Sequence, residues 1–340
     1  MPTLTNPTQR PKAIALLSGG LDSALAARLV LDQGVDVVGL YLASPFGCRT
    51  DVEKVAQGLG ITLVIRDKGE AYLDLIESPQ YGYGSQMNPC IDCRMYMFNL
   101  AEKVRIEQNA DFIITGEVLG QRPMSQQRNS IDLIDRKSEM ERKVLRPLSA
   151  HLFPETIAES MGWVNREHLL GISGRSRKEQ MALAQSLELK FYASPGGGCA
   201  LTEAAFSNKL RDFFKYPLYE GSGQRLVQSE LLRVGRHFRV RPELKVIVAR
   251  DEADNIELEK YWESAGAVFF KPEDFLGPSA VAIGKFHEED AQLVGSMMLR
   301  YTGAKRDQHR QISVRSQSTA KAILQVEREF KDTELEGWRL

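Results

Sequence analysis

A chain of 340 residues is too long for one ordinary core and predicts two domains with short tails. Its 43% hydrophobic and 26% charged residues are those of a soluble globular protein. The formal net charge of −1 excludes a global pull toward nucleic acid, so any basic surface must be local.

Residues 1–11 form a polar tail without the apolar core of a secretion signal. No run approaches the roughly 20 apolar residues that a membrane helix needs, so the expectation is a cytoplasmic protein with no membrane partner. Residues 12–17 make a short apolar run that ends in Ser18-Gly19-Gly20. Leu21, Leu25, Ala26, Leu29 and Val30 then share one helical face. Apolar runs at 35–42 and 61–65 predict two more strands, with a helix at 51–59 between them. A helix over about 91–108 leads to a fourth strand at 112–115. Strands alternating with helices predict an α/β domain, with a parallel sheet and a ligand site at its carboxyl ends. The polar stretch 122–142 predicts a surface excursion or a loop over the site. Helical patterns follow near 153–161 and 178–187, and Pro195-Gly196-Gly197-Gly198 marks a border or a tight site loop. Beyond it, a helix at 206–214 and strands at 244–248, 267–270 and 280–283 predict a second, smaller α+β domain. The expected boundaries are 12–203 and 204–304, followed by a polar tail, 305–340, with a helix around 319–330.

The glycines of Ser18-Gly19-Gly20-Leu21-Asp22-Ser23 stand between a strand and a helix, where backbone N–H groups can approach an anion. The helix N-terminus behind them favours negative charge. Ser18 and Ser23 offer hydroxyls, and Asp22 suits a magnesium ion on phosphates or a plain helix cap. No Gly-Lys-Ser/Thr follows, so the loop that cradles a transferable γ-phosphate is absent.

Ser-Gly-Gly-x-Asp-Ser after a first strand resembles the PP-loop ATP pyrophosphatases, whose domain is adenine nucleotide α-hydrolase-like. The resemblance implies that ATP is cleaved between its α and β phosphates, that a carbonyl oxygen is adenylated and that a nucleophile displaces AMP. Thr115-Gly116-Glu117-Val118-Leu119-Gly120-Gln121, then Ser125-Gln126, is similar to a segment of tRNA 4-thiouridine synthetases, and Arg146-Pro147-Leu148 to the element that follows it. Gly116, Glu117 and Gln121 are thereby expected at the nucleotide, with Arg146 or Lys143 supplying a cation. The THUMP domain of those synthetases is not expected here, because the first strand begins within about a dozen residues of Met1.

Four cysteines are few for a disulfide scaffold, and Cys90-x-x-Cys93 reads as metal-binding or redox-active. Asn88-Pro89-Cys90-Ile91-Asp92-Cys93 resembles the Asn-Pro-x-x-x-Cys segment of 2-thiouridine-forming enzymes. Gly197-Gly198-Cys199 sits where they carry a second cysteine. The added Cys90 resembles the iron–sulfur branch of tRNA thiolation, in which three thiolates hold a 4Fe–4S cluster. Four outcomes stay open for Cys90, Cys93 and Cys199: that cluster, persulfide–disulfide cycling, structural zinc with Cys48 as a fourth ligand, or unrelated buried thiols. The five histidines are scattered without metal-ligand spacing.

Residues 232–241 are the most basic strip, with Arg233, Arg236, His237, Arg239 and Arg241 among aromatic and β-branched residues. That mixture suits phosphate contacts beside base stacking, or a solvated amphipathic strand. With Gly277-Pro278-Ser279-Ala280 and Gly284-Lys285 it resembles the NFACT-R RNA-binding domain. The combined expectation is an ATP-dependent tRNA sulfurtransferase with Asp22 and the three cysteines as catalytic residues. It would use ATP and Mg2+, and its partners would be tRNA, a sulfur donor (sulfide or desulfurase-derived sulfur) and a second copy in a homodimer. Sulfur transfer to a small molecule and an RNA-binding adaptor with an inactive ATPase domain are the alternatives.

Overall fold

The computed structural model describes residues 10–47, 50–193, 198–302, 309–317, 321–327 and 332–340. The chain divides into two compact units, 1–200 and 201–340. In the first unit β1 (Lys12–Leu16), α1 (Leu21–Leu31), β2 (Asp36–Ala43), α2 (Val52–Leu59) and β3 (Thr62–Asp67) alternate. They are followed by α3 (Ala71–Glu77), α4 (Cys90–Glu107), β4 (Phe112–Thr115), α5 (Arg128–Lys137), β5 (Val144–Leu145), α6 (Ile157–Ser160) and α7 (Lys178–Ser186). The strands form one parallel sheet in the order β3-β2-β1-β4-β5. Both faces are covered, which is why β1, β2 and β4 read as unbroken apolar runs. Ala13, Ala15, Phe112 and Ile114 pack with Leu25, Val30 and Ala184 on one face. Ile14, Leu16, Leu40 and Ile113 pack with Phe98, Ala101 and Ile134 on the other. Each fully buried Leu, Ile or Phe contributes about 2 kcal/mol. The strand order reverses between β1 and β4, so the loops leaving these two strands border the crevice where such sheets take their ligands.

In the second unit α8 (Ala204–Lys215) and α9 (Ser222–Leu231) precede β6 (Arg236–Arg241), β7 (Leu244–Val248), α10 (Glu252–Tyr261), β8 (Ala267–Pro272) and β9 (Ala280–Gly284). Then come α11 (Asp290–Arg300), β10 (Arg310–Arg315), β11 (Ala322–Val326) and α12 (Asp332–Trp338). Six strands pair antiparallel in the order β11-β10-β8-β9-β7-β6. Val246 and Ala282 face one core with Met297 and Met298, whereas Ile247 and Val281 face another with Leu231 and Leu258. The period-two alternation of the strands thus serves two apolar layers.

Three expectations are corrected here. The stretch 122–142 contains helix α5, whose Ile131 and Ile134 are buried, an apolar pair diluted by surrounding polar residues. The helix expected around 319–330 is instead strand β11, paired antiparallel with β10. Residues 305–340 therefore belong to the second unit, which begins at Leu201 rather than 204. Long-range pairing overrides weak local preference at such an edge. Residues 1–9 of the expected N-terminal tail, Cys48, and Pro195, Gly196 and Gly197 of the expected border loop lie outside the described residues. Among the described residues no helix is long and apolar enough to cross a membrane.

Candidate functional site

The turn leaving β1 is built by its own small residues. Gly19 adopts φ +74°, a conformation that side chains disfavour. Ser23 Oγ accepts from the Ser18 amide at 3.2 Å and donates to the Gly20 carbonyl at 2.9 Å. Ser18 Oγ accepts from the Gly20 amide at 3.3 Å, and Thr50 Oγ1 donates to the Ser18 carbonyl at 2.8 Å. The two serines thus fix the loop's shape, and α1 starts immediately behind it with its N-terminal amides at the turn.

Gly116, just past β4, lies against the first turn of α1. A Cβ there would stand 2.5 Å from the Asp22 carbonyl carbon and 2.5 Å from the Ser23 nitrogen, so glycine is required by close backbone approach. Gln121 Nε2 donates to Asp22 Oδ2 at 2.7 Å, and Arg177 Nη2 stands 3.6 Å from the same oxygen. Asp22 Oδ1 is buried with no hydrogen-bond partner among the described residues. An ionised carboxylate oxygen left in that state suits a hard cation such as Mg2+.

Glu117 and Arg146 have roles that their sequence positions did not suggest. Glu117 is 2% exposed: Arg146 Nε donates to its Oε2 at 3.0 Å, while Arg94 Nε stands 3.1 Å from Oε1 as an ion pair without a hydrogen bond. Arg146 in turn holds Asp135 through two bonds of 2.9 and 2.7 Å. Burial alone would raise the Glu117 carboxyl, but Arg94 and Arg146 outweigh it and hold the group below the usual range. Burial prevails at Asp135, which is pushed up despite Arg146. Glu117 thus ties Arg94 to Arg146 as a buried strut, and Arg146 is a buried cation compensated by Glu117 and Asp135.

Three thiols gather near Tyr72. Cys90 opens α4 and Cys93 lies one turn on, while Cys199 approaches the Phe46 carbonyl at 3.5 Å. Tyr72 Oη is 3.0 Å from Cys93 Sγ, and Lys68 Nζ is 3.7 Å from the same sulfur and 4.1 Å from the Tyr72 ring centre. Burial, and then the Cys93 sulfur, pushes the Tyr72 phenol well above the usual range, with Cys199 and Cys90 adding to it. Burial also pushes the Cys90 thiol up, helped by Cys93 and opposed by Arg94. Among the described residues no three Cys, His, Asp or Glu side chains are arranged to hold a metal ion. Cys93 Sγ faces Tyr72 and Lys68. Lys68, Tyr72 and Arg94 were missed from the sequence; only the position of Lys68 one residue past a strand end could have flagged one of them.

In the second unit the basic strip is largely neutralised from within. Arg239 forks onto Asp212 at 2.9 and 2.7 Å, and Arg241 onto Asp290 at 2.7 Å through both nitrogens. Arg236 donates to the Ala249 carbonyl and lies over the Tyr301 ring, and Arg233 lies over Phe206. His237 is 1% exposed with Nε2 2.8 Å from the Val234 carbonyl. Burial, with Lys245 and Lys209 adding, holds its pKa well below the usual histidine value. His237 is thus buried in the core, and Arg239 and Arg241 are each paired with an acidic side chain of the same unit. Alternate residues of a strand in a sheet covered on both faces point into packed layers.

Comparison with known proteins fits both halves. Residues 8–152 match the family model described as thiamine biosynthesis protein (ThiI), and residues 235–339 match the NFACT protein RNA binding domain. A tRNA-specific 2-thiouridylase MnmA of Tropheryma whipplei (strain Twist) is 32% identical over 120 residues, 31% of this chain and 33% of that protein. A probable tRNA sulfurtransferase of Methanothermobacter thermautotrophicus is 29% identical over 203 residues, 57% of this chain and 44% of that protein. The chain therefore spans about a third to under half of the length of these relatives. Among solved structures, a 4-thiouridine synthetase–RNA complex with bound ATP has a TM-score of 0.35 at 21% identity, covering 65% of this chain and 52% of that one. The C-terminal part of a fibronectin/fibrinogen-binding protein from Streptococcus suis has a TM-score of 0.27 at 10% identity, covering 73% of this chain and 99% of that one. The resemblance of the first unit to PP-loop thiouridine synthetases and of the second to the NFACT-R domain is borne out by the two family models.

Proposed function

We propose, from a first unit matching the ThiI model and a second matching an RNA-binding one, that this chain is an ATP-dependent tRNA sulfurtransferase. It adenylates a uridine carbonyl and replaces the oxygen with sulfur. The observation that carries this reading is the strut Arg94–Glu117–Arg146. It ties the helix bearing Cys90 and Cys93 to the segment whose Gly116 abuts the phosphate loop, so thiols and anion site form one apparatus.

In this reading the amides of the loop at residues 18–23 and the start of α1 take the ATP phosphates. Asp22 Oδ1 would hold Mg2+, which when bound neutralises phosphate charge. The uridine oxygen attacks the α-phosphorus and pyrophosphate leaves, making the ring oxygen part of a good leaving group. A sulfur carried on a cysteine as a persulfide then attacks the ring carbon and AMP departs. A second thiolate attacks the cysteine's own sulfur, which breaks the S–S bond, frees the thiouridine and leaves a protein disulfide. A thiol reductant resets the pair. Cys93, beside the Lys68 ammonium and the Tyr72 hydroxyl, is the best-supported sulfur carrier, with Cys90 or Cys199 as resolving thiol. A 4Fe–4S cluster held by Cys90, Cys93 and Cys199 is the alternative to this persulfide cycle. A desulfurase would pass sulfane sulfur to the reduced cysteine, or sulfide would attack the protein disulfide directly and re-form the persulfide with release of the second thiol; a homodimer and tRNA complete the proposed assembly.

Mass spectrometry of tRNA nucleosides from cells with and without the gene tests the reading. The expected outcome is loss of one thiolated nucleoside, restored by the parent gene but not by Cys93→Ser; an unchanged nucleoside profile contradicts it.

A further inference from the structure

We infer that Gln180 on α7 is a positioning residue that sets which oxygen of Asp22 is offered to the metal, an inference resting on the ATP-dependent reading above. Gln180 is fully buried, and α7 lies outside the stretch that matches the ThiI model. Its Nε2 donates to Gln121 Oε1 at 2.9 Å, and Gln121 Nε2 donates to Asp22 Oδ2 at 2.7 Å.

The direction of this relay is dictated by chemistry. An ionised carboxylate only accepts, so Gln121 must turn its NH2 to Asp22 and present its carbonyl to Gln180, which must donate. The carboxylate thus fixes which end of Gln121 faces it, and the Gln180 donor fixes where the Gln121 amide sits. Without that donor the Gln121 carbonyl is unanchored, and its NH2 is free to leave Oδ2 for Oδ1, the oxygen otherwise open to the metal. With the relay intact, Oδ2 is occupied by Gln121, with Arg177 nearby, and Oδ1 stays buried without a partner. Partners behind a metal-binding carboxylate orient it and typically govern affinity by 10–100-fold.

The test uses Gln180→Met, which keeps the volume and loses the donor, with Gln180→Leu as a second variant should the first fold poorly. Binding of a non-hydrolysable ATP analogue is measured by calorimetry in the full chain, over a Mg2+ series and in EDTA. The expected result is about a tenfold higher Mg2+ requirement, with metal-free analogue binding and melting temperature unchanged. A merely structural role would lower the melting temperature and weaken both forms of binding together. In a Gln121→Met background the Gln180 effect should vanish, because the relay is already cut. Unchanged Mg2+ dependence in a folded variant overturns the relay while leaving the ATP-dependent reading intact. Analogue binding that ignores Mg2+ in the unaltered chain overturns both.

Discussion

Gly116 shows how one residue joins sequence to chemistry. Its α-hydrogens face the backbone of Asp22 and Ser23, where any Cβ would overlap main-chain atoms that have no rotamer to escape into. Gly116→Ala should therefore cost about 1–3 kcal/mol of stability and displace the start of α1. Thermal melts and ATP-analogue calorimetry should show both a lower melting temperature and analogue binding weakened at least tenfold. A variant that melts and binds like the parent would show that β4 and the loop stand further apart. Ser18, Gly19, Gly20, Asp22 and Ser23 were legible because loop chemistry is local. Glu117 and Arg146 were read as nucleotide-facing because charge in a turn resembles a ligand contact; only their mutual burial reveals a strut.

Among elements, β6 and β7 carry the most revealing charges. Lys245 on β7 is buried against Asp212, and Lys209 on α8 points at the Leu232 and Gly235 carbonyls. Burial is the main cause that lowers each to about 8, with neighbouring arginine charge adding; Asp212 opposes this at Lys245. An unfolded lysine titrates near 10.4, so from about pH 8 to 10.4 the unfolded chain binds more protons and the lysines' contribution to stability rises with pH. Below pH 8 both states are charged and the burial cost is fully present. Replacing both lysines with Met should thus raise second-unit stability relative to the parent most near pH 7. That advantage should shrink toward pH 10, read by hydrogen exchange at the amides of β7 and β9. A pH-independent difference would contradict the buried placement. The sequence reading missed α5 and β11 for one reason: each is short and partly polar, and each becomes regular through its partners.

The whole molecule has two units, each with apolar layers on both faces of its own sheet, so each should fold alone. Residues 1–200 and 201–340, expressed separately, should each unfold cooperatively by circular dichroism. The first should keep ATP-analogue binding and the second should keep most of the tRNA affinity. A second fragment that folds but ignores tRNA would move the RNA contact to the first unit. The sequence by itself determined the alternation of strands and helices, the phosphate loop and the gathering of chemistry into the first unit. Periodicity, glycine placement and cysteine spacing are local properties that the chain carries before it folds. Only the tertiary structure decided that Arg239 and Arg241 are neutralised by Asp212 and Asp290, that Cys93 lies against Lys68 and Tyr72, and that Gln180 stands behind Asp22. Burial and partnership set what a charged or polar side chain does. They arise from contacts such as Gln121 with Asp22, 99 residues apart, which no local pattern encodes.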